Sequence, residues 1–218
     1  MKKVAIIVAG GQGIRMNSDI PKHFLLLNSS PVLIHTLLKF SHLDEIILVL
    51  PKIQIEYWNL LCATHNFTIL HTIVEGGITR FHSVKNGLEI VDNNSIVAIH
   101  DGVRPLVSKN LINNLISEVK EGVGSIPVVP IKDSIRKLEG TNSIHIDRSN
   151  LFKVQTPQCF FSSDLKKAYT QEFSESFTDD ASVFESIEGD IKTILGEDKN
   201  LKITTEEDLK ITEVFMKK

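Results

Sequence analysis

Two kinds of run take turns along the chain. Short, mainly apolar stretches recur at Val4 to Val8, Glu45 to Leu50, Phe67 to Val74, Ser95 to His100, Ser125 to Pro130 and Ile191 to Leu195. They are rich in β-branched residues, and most lack a polar face, which predicts strands buried on both sides. Between them lie longer segments with three-and-four-residue spacing. These predict helices at Pro31 to Phe40, Gln54 to Asn66, Arg80 to Val91, Asn110 to Lys120, Ser163 to Glu172, Asp180 to Ser186 and Glu206 to Phe215. In the fourth, Leu111, Ile112, Leu115, Ile116 and Val119 share one helical face, and Ser108 is placed to cap it. Strand–helix–strand repetition predicts a mostly parallel, twisted sheet covered by helices on both faces.

The pattern lapses between Lys132 and Phe152, where long apolar runs give way to polar residues around Gly140-Thr141-Asn142-Ser143, a turn signal. KDSIRKLEG and SIHIDRSN are expected to pair as a two-stranded arm over about 132–154. An isolated hairpin is marginal in water, so the arm needs a partner surface, and dimerisation through it is the expectation. A solvent-facing excursion is the alternative that the residues leave open. The expected fold class is therefore α/β, Rossmann-like, with a protruding β-arm, in a single domain over 1–218.

Composition narrows the partners. The 218 residues carry 24 Lys and Arg against 27 Asp and Glu, a net charge of −3. That balance supplies no global basic field for nucleic acid, so any anion site is local. Cys62 and Cys159 form neither a disulfide framework nor a metal pair, and free thiols in a reducing cytoplasm are expected. No apolar run approaches the roughly 20 residues of a membrane span, and no leader pattern is present. The eight histidines include no HxxxH or HExxH pair, which argues against zinc.

Ligands in parallel α/β sheets bind at the carboxyl ends of strands. There this chain places Ala9-Gly10-Gly11-Gln12-Gly13, Pro51, Gly76-Gly77 and Asp101. The first loop lets backbone approach a ligand closely, and its successive N–H groups suit an anion. Arg15 and Lys22 add positive charge downstream. The loop fits neither the Walker A pattern nor GxGxxG, whose last glycine is replaced by Met16. Asp101, at a strand end and three residues before Arg104, suits Mg²⁺ with phosphate oxygens, or equally a turn residue paired with its neighbour. Gly76-Gly77, before Arg80 and Ser83, leaves room for a planar base or simply starts a helix. Arg148 and Thr156 suit a second phosphate or a surface turn.

GGQGIRM followed by PKHF resembles the signature of the sugar-nucleotide and polyol-phosphate nucleotidyltransferases. With GGITRFHSV, HDGVRP, DRSNLFKVQTPQCF, TDDASVFES and NLKITTEEDL in the same order, the chain resembles the 2-C-methyl-D-erythritol 4-phosphate cytidylyltransferase family of the non-mevalonate isoprenoid pathway. The resemblance implies that Arg15, Lys22 and Lys202 are catalytic. It implies that Ala9, Gly10, Gly11, Gly13, Gly77, Arg80 and Ser83 bind CTP, with Gly77, Arg80 and Ser83 around the cytosine. Asp101 is implied to hold Mg²⁺. Arg104, Ser134, Arg148 and Thr156 are implied to meet the polyol phosphate, with arm residues coming from the second subunit of a dimer. Two departures stand out: Lys199 where an acidic residue is usual, and Ile78 where a polar one is. The rivals are a ribitol 5-phosphate cytidylyltransferase and a nucleotide-binding regulator without catalysis. The chain's length leads us to expect no fused cyclase.

Overall fold

The computed structural model describes residues 1–10 and 20–217. Gly11, Gly13 and Arg15 lie outside them. The chain runs β1 (Lys2–Val8), the short pair β2 (Leu26–Leu27) and β3 (Ser30–Pro31), α1 (Val32–Phe40), β4 (Glu45–Leu50), α2 (Ile55–Thr64), β5 (Thr72–Glu75), α3 (Arg80–Glu89), β6 (Ser95–Asp101), α4 (Lys109–Glu118) and β7 (Val123–Pro130). There follow β8 (Ile135–Glu139), β9 (Asn142–Ile146), β10 (Phe152–Val154), β11 (Gln158–Phe161), α5 (Ser162–Ala168), α6 (Asp180–Glu185), β12 (Asp190–Leu195) and α7 (Glu206–Met216).

The main sheet is mixed but mostly parallel. β6, β1, β4 and β5 are parallel neighbours in that order. β11 is inserted antiparallel between β6 and β7, and β12 pairs parallel with the far edge of β7. β10 lies antiparallel along the same edge of β7 as β11. The period-two alternation of the apolar runs is visible in the packing. Ala5 and Ile7 of β1 and Leu48 and Leu50 of β4 join α1, α2 and α4 in one apolar layer. Val4, Ile6, Ile47 and Val49 point the other way, into a layer with α3, α5 and α6. Helices thus cover both faces, as the sequence pattern predicts.

Three details differ from the sequence reading. The fifth strand begins at Thr72 rather than Phe67, because Phe67 and Ile69 pack against the α2 side before the chain joins the sheet. Sequence pattern gave no strand at Phe152–Val154 or Gln158–Phe161, since both are short and separated by Pro157. The tight β2–β3 turn holds Asn28 and Ser29 at positive φ, the geometry of a two-residue hairpin. β8 and β9 pair with each other as a separate two-stranded sheet, Ile135 opposite Ile146 and Glu139 opposite Asn142, and are almost wholly exposed. No helix among the described residues is long and apolar enough to cross a membrane.

Candidate active site

The site grows from the carboxyl ends of β1 and β6. These strands are in register, with Val8 opposite Asp101, so the glycine loop and the aspartate leave the sheet side by side. Gly102 N–H then donates to the Val8 carbonyl (2.9 Å), continuing the ladder past the strand end. Facing them is the start of α3. Gly77 N–H donates to Ser83 Oγ (3.1 Å), and that hydroxyl donates to the Thr79 carbonyl (2.9 Å). The turn admits only glycine at 77, since a Cβ there would stand 2.3 Å from Cβ of His82. The third wall is the loop before α7, which carries Lys202.

These parts enclose a cavity of about 220 Å³. Ala9, Gly10, Lys22, Gly77, Arg80, Ser83, Asp101 and Lys202, all singled out from sequence, line it, and so does His23. A second cavity of about 280 Å³ shares Arg80, Asp101 and Lys202 and adds Arg104, Thr156 and Asp179. The two phosphate-sized volumes therefore meet over one carboxylate. Ser134 and Arg148 line neither. Ser134 is exposed, and Arg148 donates to the Lys132 carbonyl.

Asp101 is 7% exposed and ringed by cations. Its Oδ2 accepts from Nε of Arg104 (2.9 Å) and lies 3.2 Å from Nζ of Lys202. Its Oδ1 is 3.8 Å from Nε of Arg80, too long for a hydrogen bond. Burial alone would raise the Asp101 pKa, but Lys202, Arg104 and Arg80 outweigh it and hold the carboxyl well below the usual range. Arg104 spends Nη1 on the Asn200 carbonyl (2.9 Å), which ties the Lys202 loop to β6. Its Nη2 makes no hydrogen bond among the described residues and remains available to an anion.

Beneath this cluster lies a satisfied polar network. His100 Nε2 sits 3.1 Å from the Arg104 carbonyl, a pure acceptor, so that nitrogen carries the proton. Burial lowers the His100 pKa to about 4, leaving Nδ1 as an acceptor, 3.0 Å from the Thr156 hydroxyl. Asp101 N–H in turn donates to Thr156 Oγ1 (3.1 Å). Thr156 thus lines the second cavity with its proton already directed inward.

Sequence reasoning passed over several contributors. Asp180, fully buried at the start of α6, binds Arg80 with both oxygens, at 2.9 and 2.6 Å. Tyr169 adds a hydrogen bond to it (2.6 Å). Asn200 donates to the Thr156 carbonyl (2.8 Å). Their motifs are visible in the sequence, but a single chain gives no signal that Asp180 rather than Asp179 turns inward.

A family model described as IspD, 2-C-methyl-D-erythritol 4-phosphate cytidylyltransferase, matches residues 3–218. The chain belongs to the 2-C-methyl-D-erythritol 4-phosphate cytidylyltransferase family. A curated relative of that name from Azobacteroides pseudotrichonymphae is 48% identical, covering 99% of each chain. One from Bacteroides fragilis is 46% identical over 99% of this chain and 100% of its own. Among solved structures, the cytidylyltransferase of that name from Thermus thermophilus superposes with a TM-score of 0.82 at 27% identity, covering all of both chains. A 4-diphosphocytidyl-2C-methyl-D-erythritol synthase from Anaerococcus prevotii gives 0.81 at 29% identity, covering 100% of this chain and 96% of that one.

A divalent ion suits this family's chemistry, and the donor set fits one carried by a nucleotide. Asp101 offers Oδ1 as a carboxylate oxygen without a hydrogen bond, matching Mg²⁺, which takes one or two carboxylates and completes its shell with phosphate and water. Among the described residues no three His, Cys, Asp or Glu side chains gather to hold a metal by themselves. The departure at Lys199 agrees: that side chain lies over the Phe215 ring, and Asp198 pairs with Lys132 at 2.5 Å.

Proposed function

We propose that this chain transfers CMP from CTP to 2-C-methyl-D-erythritol 4-phosphate, giving 4-diphosphocytidyl-2-C-methyl-D-erythritol and pyrophosphate in the non-mevalonate isoprenoid pathway. The observation that carries the reading is the meeting of two cavities over Asp101, with Lys22 on one side and Arg104 on the other. CTP occupies the first, its base against Gly77, Ser83 and the α3 turn, its triphosphate along Ala9, Gly10 and the loop through Gly11, Gly13 and Arg15. The polyol phosphate occupies the second, facing Arg104 Nη2.

A phosphate oxygen of the polyol attacks the α-phosphorus of CTP. The bond to the bridging oxygen breaks, and its electron pair leaves on pyrophosphate. The attacking phosphate monoester is already ionised near neutral pH, so no general base is required. What the reaction needs is relief of repulsion between two anions and of charge building on phosphorus, and Arg15, Lys22 and Lys202 supply it. Mg²⁺, held by Asp101 Oδ1 and phosphate oxygens, would neutralise further charge when bound. Ser134 and Arg148 reach the phosphate of a neighbouring copy in a homodimer joined through β8 and β9. We place this enzyme in the cytoplasm.

The test is pyrophosphate release by the purified protein with CTP and Mg²⁺, with methylerythritol phosphate or ribitol 5-phosphate in separate reactions. Release with the first alone is expected. Release only with ribitol phosphate overturns the substrate, and CTP binding without any release overturns the enzyme.

A further inference from the structure

Arg80 is bound on two sides by acids of different kinds. Its Nη1 and Nη2 form a fork on buried Asp180, at 2.9 and 2.6 Å, whereas its Nε faces Asp101 Oδ1 across 3.8 Å. Tyr169 donates to the same Asp180 oxygen that accepts Nη1. Asp180 is itself held rigidly. It opens α6, whose cap Asp179 accepts from Gln158 Nε2 (2.8 Å), while Ala181 N–H donates to Gln158 Oε1 (2.9 Å). Gln158, fully buried on β11, thereby fixes the first turn of α6 to the sheet.

A guanidinium beside a buried carboxylate ordinarily closes to a bidentate pair. Here Asp101 already receives Arg104 and Lys202 on Oδ2. Collapse of Arg80 onto Oδ1 would leave that carboxylate without an oxygen for anything else. The fork on Asp180 uses the two nitrogens that would make such a pair. We propose that Asp180 is a positioning residue that holds Arg80 off Asp101 and so keeps Asp101 Oδ1 open for the divalent ion. This rests on the proposed role of Asp101 toward a nucleotide-borne metal. It also gives Arg80 a role distinct from contact with the cytosine.

The experiment measures Mn²⁺ binding to the full chain with CTP, by electron paramagnetic resonance, together with the Mg²⁺ concentration needed for half-maximal pyrophosphate release. Asp180→Asn releases one arm of the fork. Mn²⁺ affinity is expected to fall roughly tenfold or more, as for other residues that orient metal ligands, and the Mg²⁺ requirement to rise in step. Arg80→Gln with Asp180→Asn removes the competitor along with its anchor and is neutral in charge, so Mn²⁺ affinity is expected to return to within about twofold of wild type. Wild-type Mn²⁺ affinity in a folded Asp180→Asn protein overturns the proposal. If that variant does not fold, the double variant decides: lost Mn²⁺ binding in a folded protein overturns it. No Mn²⁺ binding by wild type with CTP overturns the reading of Asp101 as well.

Discussion

The hydroxyl of Thr156 gives its proton to Nδ1 of His100, 3.0 Å away, and the same oxygen receives the N–H of Asp101. One side chain from the start of β11 thus fixes both a buried histidine and the backbone of the site's central acid. Thr156→Val preserves shape and leaves both groups without a partner. It is expected to cost on the order of 1–3 kcal/mol in stability, read by denaturant titration. Thr156→Ser keeps the hydroxyl and is expected to lose well under half of that. Equal losses in the two variants would show that the methyl, not the hydroxyl, matters.

Lys202 reaches Asp101 from the other side of the cluster, 3.2 Å from Oδ2, and is 40% exposed. Removing one positioned charge from a transfer site typically costs on the order of 100-fold in turnover. Lys202→Ala and Lys22→Ala are each expected to lower kcat by that much while leaving the thermal transition near its wild-type temperature. Near-normal turnover by either variant would remove that lysine from the chemistry.

The pH dependence of folding follows from His23. It is 1% exposed, stands 2.9 Å from Gln54 Oε1 and has its pKa lowered from 6.5 to about 4, chiefly by burial. The unfolded chain takes up this proton first as the pH falls. Stability is therefore unaffected by His23 above about 6.5 and declines between about 6.5 and 4. His100, lowered by burial in the same way, adds to the slope. His23→Gln is expected to flatten the decline in thermal transition temperature over that window without abolishing it. An unchanged slope would show that His23 titrates normally in the folded state.

Gly77→Ala puts a methyl 2.3 Å from Cβ of His82, next to backbone that opens α3. Overpacking of this kind costs typically 1–3 kcal/mol. The displaced turn borders the nucleotide cavity, so CTP affinity measured by calorimetry is expected to fall together with stability. Intact CTP binding would place the base elsewhere.

If Ser134 and Arg148 serve the neighbouring copy, two crippled proteins can rescue each other. Arg148→Ala and Lys202→Ala, unfolded and refolded together, form mixed dimers with one intact site. About a quarter of wild-type turnover is expected from random pairing in a two-fold dimer. No recovery, with dimers present by sedimentation, would locate both residues' effects within one chain.

The strand ends were readable because Val4 to Val8 and Ser95 to His100 are uninterrupted apolar runs stopped by Gly10 and Asp101. Lys202 was legible only through its motif; nothing in its own surroundings separates it from a solvated lysine. The clamp on Arg80 was not legible at all, because Arg80 and Asp180 are brought together only when α3 and α6 pack on the same face of the sheet. β10 and β11 escaped for a different reason: three or four residues on either side of a Thr-Pro pair carry too little periodicity to distinguish a strand from a turn. The pairing of β8 with β9 was foreseeable from alternating residues around Gly140, whose φ of 61° suits the turn.

Because β11 runs against its neighbours, the residues before it, rather than those after it, meet the reactive rim of the sheet. The parallel strands meet that rim with their trailing residues. All the chemistry is thereby gathered on one edge, and the turns at the opposite edge, such as 91–94, 121–122 and 188–189, are spared from it. Those distal turns are the natural places to attach a fluorophore or a tether, or to accept the length changes of drifting lineages, while the transfer centre goes on undisturbed.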